Sequence, residues 1–108
     1  MKNPIFYVKP IPLSDIEKIK ALTPEEALAL MYLQSLKCEI EGVSRTEDVR
    51  KIFFEIHTFK TKISINLFFE GRIDQKLFKQ IVKILKERGF RYIEYTKTWL
   101  KSIPLPSQ

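Results

Sequence analysis

Lys62-Ile63-Ser64-Ile65-Asn66-Leu67-Phe68-Phe69-Glu70 is the stretch that decides the fold. Ile63, Ile65, Leu67 and Phe69 alternate with Lys62, Ser64, Asn66 and Phe68, the period of two that marks a strand with one buried face. Gly71 ends it. Upstream, Lys51 to Phe59 is rich in Ile, Phe and Thr, which favour sheet. A competing reading lets Ser44 and Glu47 cap a helix carrying Val49, Ile52, Phe53 and Ile56 at helical spacing. If the two segments pair as strands, Phe54 and Ile56 join the inward row. The reverse face then shows Phe53, His57, Phe59, Lys62, Asn66 and Phe68.

Downstream, Asp74 caps a helix that runs to about Arg88, with Gly89 as its stop signal. At 100° per residue Leu77, Phe78, Ile81, Ile84 and Leu85 share one face. Lys76, Lys79, Lys83 and Lys86 occupy an arc of about 80° on the opposite face, with only Glu87 near enough to offset them. Arg91 to Leu100 closes the fold as a strand or a tight hairpin.

The first half reads as scaffold. Pro4, Pro10 and Pro12 force residues 3–13 into an extended segment, a short edge strand around Ile5-Phe6-Tyr7-Val8. Ser14 with Glu17 opens a short helix to about Leu22, and Thr23-Pro24-Glu25-Glu26 opens a stronger one to about Lys37. Ala27 to Leu33 carries no polar side chain except the Tyr32 hydroxyl, so this helix is expected in the core. Cys38 to Val43 is compatible with a short strand. The order of elements predicts an α+β fold, an antiparallel sheet of three to four strands with helices packed on one face. Residues 1–108 form one domain on this reading, with an extended N-terminal segment 1–13 and a short tail 102–108.

The formal charge of +6 is one-sided: 8 Lys/Arg balance 8 Asp/Glu from Met1 to Phe54, whereas 11 face 5 from Glu55 to Gln108. Most of the aromatic residues share that second half. Cations interleaved with flat rings suit a polyanion held by its phosphates and its bases, which makes nucleic acid the expected partner. Lys- and Glu-rich surfaces are also common in proteins from hot environments, but thermophily does not explain why the excess is one-sided. The single Cys38 forms no internal disulfide, and no apolar run approaches the ~20 residues that span a bilayer. A cytoplasmic protein without a membrane association is expected.

Catalysis finds no support in the residue pattern. One histidine, His57, excludes a histidine-pair nuclease. Glu55, Glu70 and Asp74 lack the pattern of a two-metal carboxylate set, and the three scattered glycines build no phosphate loop. No catalytic residue, metal or cofactor is expected.

Lys83-Ile84-Leu85-Lys86-Glu87-Arg88-Gly89-Phe90-Arg91-Tyr92, followed by Thr96-Lys97-Thr98-Trp99, resembles an element of the HARP-type domains appended to some helicases. With the preceding strands it also resembles the ThermoDBP-like single-stranded-DNA-binding domain of archaea. Such turns usually carry Asp-Pro where this chain has Ile93-Glu94, which keeps a straight strand open as an alternative to the hairpin. The resemblance implies sequence-independent binding of single strands, DNA rather than RNA, without an OB-fold. It implies that Tyr92 and Trp99 line the base-contacting surface while Arg91 and Lys97 meet phosphate. Two alternatives stand beside it. One is an assembly subunit whose aromatic sheet face docks a partner or a second copy. The other, a ferredoxin-like RNA-binding domain, is weakened because Lys62 to Phe69 lacks the Gly-aromatic pattern of that family's central strand.

Overall fold

Two β-hairpins and a helical layer dominate residues 6–106, the part of the chain that the structure, a computed structural model, describes. Strands β1 (Phe6–Pro12), β2 (Ile52–Thr58), β3 (Lys62–Phe69), β4 (Arg91–Ile93) and β5 (Thr98–Pro104) form one antiparallel sheet. Their order is β1-β2-β3-β5-β4, so the α+β class holds with five strands rather than three or four. Helices α1 (Pro24–Glu41), α2 (Thr46–Val49) and α3 (Gln75–Glu87) complete it, with a 3-10 turn at Leu13–Lys18.

The register of β2 on β3 sorts the side chains into two faces. Ile52 pairs with Phe69, Phe54 with Leu67 and Ile56 with Ile65, and Ile52, Phe54, Ile56, Ile63, Ile65 and Leu67 have no exposed surface. Each fully buried side chain of this kind contributes roughly 1.5–3 kcal/mol. They pack against Leu33, Leu36 and Ile40 of α1 and Ile81 and Leu85 of α3. The edge-on contact of Phe69 with Phe78, at 5.2 Å, fixes α3 to the same side of the sheet. Among the described residues no helix lies on the opposite face.

Local signals account for most boundaries. The Thr23 hydroxyl accepts from the Glu26 N–H at 3.1 Å, and the buried Glu26 carboxylate accepts from the Leu22 N–H at 2.6 Å. Asp74 accepts from the N–H groups of Lys76 and Leu77, and Gly89, at φ +91°, ends the α3 turn in the left-handed region. Of the two readings of 44–59 the strand holds: Ile52, Phe53 and Ile56 lie in β2, the Ser44 hydroxyl donates to the Ile40 carbonyl rather than capping a helix, and only the single turn of α2 precedes the strand. The Asp48 carboxylate accepts from the Arg45 N–H to start α2, and the strand begins three residues beyond that helix.

Four expectations are corrected. The Ser14 cap is not formed: the turn at Leu13–Lys18 is a 3-10 helix entered from Pro12 with no side-chain cap. Cys38 to Val43 is no strand, because α1 continues to Glu41 and turns at Gly42. The tail is β5 itself, paired with β3 out to Pro104 opposite Lys62. The Leu105 N–H turns towards Thr61, so the missing Pro104 donor lies on the unpaired side beyond the reach of β4. Finally, α1 is not enclosed all round. The sheet takes one side of it, and the outward row Ala27, Leu28, Met31, Gln34, Ser35 and Cys38 holds no charge. Leu28 is 43% exposed and Met31 69%. Residues 1–5 of the predicted N-terminal segment and 107–108 of the predicted tail lie outside the described residues.

Candidate nucleic-acid interface

The uncovered sheet face is built in rows, because paired residues of adjacent antiparallel strands share a face. Phe53 and Phe68 stand opposite each other and stack, with centroids 5.7 Å apart and ring planes 16° from parallel. In the next row Glu55, Asn66, Leu100 and Arg91 run across β2, β3, β5 and β4. His57, Ser64 and Ser102 form the third. Phe59 and Lys62 close the face at the hairpin turn, where the Phe59 N–H bonds to the Lys62 carbonyl at 2.8 Å and the Lys62 ammonium sits 5.6 Å from the Phe59 ring centre. At two residues per row the face is about 20 Å long. Phe53, His57, Phe59, Asn66 and Phe68 are all partly exposed. The one carboxylate in the rows, Glu55, lies 3.4 Å from His57.

A concavity of about 340 Å³ opens on this face between the two hairpins, lined by His57, Phe59, Ser64, Asn66, Ile93, Thr96, Thr98 and Leu100. The β4–β5 turn makes its far wall. The Lys97 N–H bonds to the Ile93 carbonyl at 2.7 Å, Lys97 takes φ +58°, and the Thr96 and Thr98 hydroxyls are 2.7 Å apart. Hence the hairpin forms without Asp-Pro, since a non-glycine residue accepts the left-handed position.

Of the residues expected to bind, Phe53, His57, Phe59, Lys62, Asn66, Phe68 and Arg91 come together here, with Lys97 at the neighbouring turn. Tyr92 and Trp99 do not. Trp99 pairs with Leu67 in register and is 6% exposed, on the core side, with Tyr92 over it at 5.2 Å. Tyr92 is 47% exposed, but on that same side, where the helices leave the sheet edge uncovered. The basic-aromatic element of the resemblance is thus divided between faces by strand alternation.

The lysine ridge is also real but elsewhere. Lys76, Lys79, Lys83 and Lys86 are exposed along α3, over about 15 Å of helix. Among the described residues none of them forms an ion pair. A groove of about 410 Å³ runs between Lys79, Val82, Lys83, Lys86 and Glu87. Because α3 covers the core side of the sheet, its outward lysines face away from the aromatic rows. Rings and ridge therefore lie on opposite sides of the molecule, not on a single surface.

The clamp that holds α3 runs through Arg88. Its Nε donates to Glu39 at 2.6 Å and its Nη2 to Ser35 at 3.1 Å, while its carbonyl accepts from the Tyr32 hydroxyl at 3.0 Å. Arg88 and Lys101 both sit over the Tyr32 ring, at 5.4 and 5.5 Å. Burial pushes the Tyr32 phenol above its ordinary 10.0, with Arg88 acting in the opposite direction.

A cleft of about 900 Å³ between the 42–48 turn and the start of α3 is larger than the sheet concavity. Its lining sets Arg45, Lys76 and Lys79 against Glu47, Asp48 and Asp74, a balance that gives a polyanion no net attraction. No three His, Cys, Asp or Glu among the described residues form a metal-holding group. No described helix is long and apolar enough to cross a membrane.

Sequence reasoning missed Ser64, Ile93, Thr96, Thr98 and Leu100 as lining residues. Ser64 was legible from the alternation that exposed Asn66. The other four depend on the register of a hairpin that the sequence left open. Comparison with protein-family models, with curated proteins and with solved structures gives no match to this chain.

Proposed function

We propose that this chain is a noncatalytic cytoplasmic module that holds single-stranded nucleic acid on the open face of its sheet. The observation that carries the reading is a sheet face that no other element of the described residues covers, with Phe53, Phe59 and Phe68 partly exposed on it and Lys62 and Arg91 in its rows. A globular domain normally covers such rings. Base stacking on an aromatic side chain is worth about 1–3 kcal/mol per base, and it tolerates any sequence because every base has a flat face. Phosphate neutralisation by the surrounding cations adds a salt-dependent term. The preference for DNA over RNA rests on the resemblance of residues 83–99 to the archaeal single-strand binders.

Fluorescence anisotropy with labelled oligo-dT, its duplex and oligo-U tests the reading. Oligo-dT is expected to bind most tightly, with affinity falling as salt rises. Indifference to all three oligomers refutes it.

A second reading, assembly with a partner or a second copy, is favoured by a different surface. Leu22, Met31 and Leu28 expose apolar side chains along α1 and its entry, at 74, 69 and 43%. Sedimentation of the protein with and without Met31→Lys tests it, because a charge there should abolish association through that row.

A further inference from the structure

Resting on the single-strand reading of the open face, we infer that the concavity between the two hairpins takes one nucleobase out of the stack and grips it by its edge. Binding then discriminates among bases at that one position. The floor of the concavity is polar. Ser64 and Asn66 stand two residues apart on β3, roughly 6.6–6.8 Å, and both point into it. Among the described residues neither side chain makes a hydrogen bond, although Ser64 is only 9% exposed. A hydroxyl offers one donor and an acceptor, and an amide two donors and an accepting oxygen. The edge of a base supplies partners to both.

Phe59 at one end and Ile93 and Leu100 at the other give the walls apolar area, while the Thr96 and Thr98 hydroxyls of the far wall are bonded to each other at 2.7 Å, which suits the flat faces of a ring better than a bare anion. The cations are set outside the floor. Lys62 lies over Phe59 and Arg91 beside Leu100, and both are at the rim, where the phosphate of a nucleotide lies when its base is inside. A site for free phosphate would carry its cations at the bottom. Recognition of a splayed base by its edge, with flanking rings stacking the neighbours, is a general mode for single strands. Here the Phe53–Phe68 pair provides the neighbouring stack.

The test uses labelled oligo-dT in which a single central thymidine is replaced in turn by dA, dC, dG or an abasic residue. It is joined by an NMR titration of the Asn66 side-chain amide with deoxynucleoside monophosphates and with inorganic phosphate. The best base is expected to exceed the worst by about five-fold or more, the lower end for a bidentate contact. The Asn66 amide signals should move with monophosphates and stay still with inorganic phosphate. Asn66→Leu should compress the spread to within about two-fold, and, because no charge is removed, the salt slope of whatever oligo-dT binding remains should be unchanged. Asn66→Asp, an acceptor only, should shift preference towards bases with an exocyclic amine. If oligomers bind with the same base spread in wild type and Asn66→Leu, or if monophosphates leave the amide unmoved, the pocket is refuted and the stacking face survives. If no oligomer binds the wild type, the single-strand reading falls and takes the pocket with it.

Discussion

Replacing Lys62 and Arg91 together by alanine should halve the salt sensitivity of short-oligonucleotide binding. Four exposed cations border the open face or its turns: Lys60, Lys62, Arg91 and Lys97. For single strands, log affinity falls with log salt by about 0.7 per neutralised phosphate, so four contacts give a slope near −2.8. Between 50 and 200 mM salt that is a loss of about 50-fold, and two remaining contacts give a slope near −1.4 and a loss of about 7-fold. Anisotropy of a labelled short oligo-dT over a salt series reads both slopes directly. Lys79→Ala with Lys83→Ala is the matched control, because α3 directs these lysines away from the rings. For a short strand that pair should leave the slope unchanged, and only a strand long enough to wrap the molecule should register it. A slope that stays near its original value in the sheet variant and falls in the helix variant would refute the assignment and put the strand on α3.

Trp99 fluorescence should be insensitive to oligo-dT, since the indole is 6% exposed on the core side. Trp99→Ala should instead lower stability by about 3–5 kcal/mol, read by urea unfolding. Lys97→Gly should leave stability unchanged or raise it by up to about 1 kcal/mol, because φ +58° suits glycine. Gly89→Ala should destabilise, since its φ is +91° and a Cβ would meet the Lys101 ammonium at 2.8 Å. Thermal melts of both variants check this opposition. Burial raises the Tyr32 pKa in the folded state above 10.0, so the native protein holds that proton more tightly than the unfolded chain. The associated stability is complete below pH 10 and lost as pH climbs through the raised value. Tyr32→Phe should cost about 1 kcal/mol at neutral pH, through the lost bond to the Arg88 carbonyl. It should also flatten the alkaline decline in a pH series of melts.

Legibility followed the range of the interactions. Strand β3, the Asp74 cap, the Gly89 stop and the two faces of the central hairpin are local patterns, and each is visible in a run of a few residues. The separation of the lysines from the rings is not local. It depends on α3 crossing to the core side of the sheet, where Phe78 meets Phe69, and a helical wheel does not say which side of a sheet the wheel lies on. The side on which Trp99 lies is non-local for a related reason. Its side of β5 follows from pairing with Leu67, 32 residues earlier in the chain, and one step of register would have turned it outward. The β5 pairing of Pro104 was hidden because proline argues against a strand unless the edge it occupies is known.

The uncharged outer row of α1 gives the molecule a second chemistry with the opposite response to its surroundings. Added electrolyte weakens any grip on phosphate, yet excluded salts such as sulfate strengthen the burial of Leu28 and Met31 and screen the mutual repulsion of chains carrying +6 each. On the two proposed readings together, ionic conditions that release a polyanion would be those that favour contact between copies through α1, so occupancy and self-association would trade places as the medium changes.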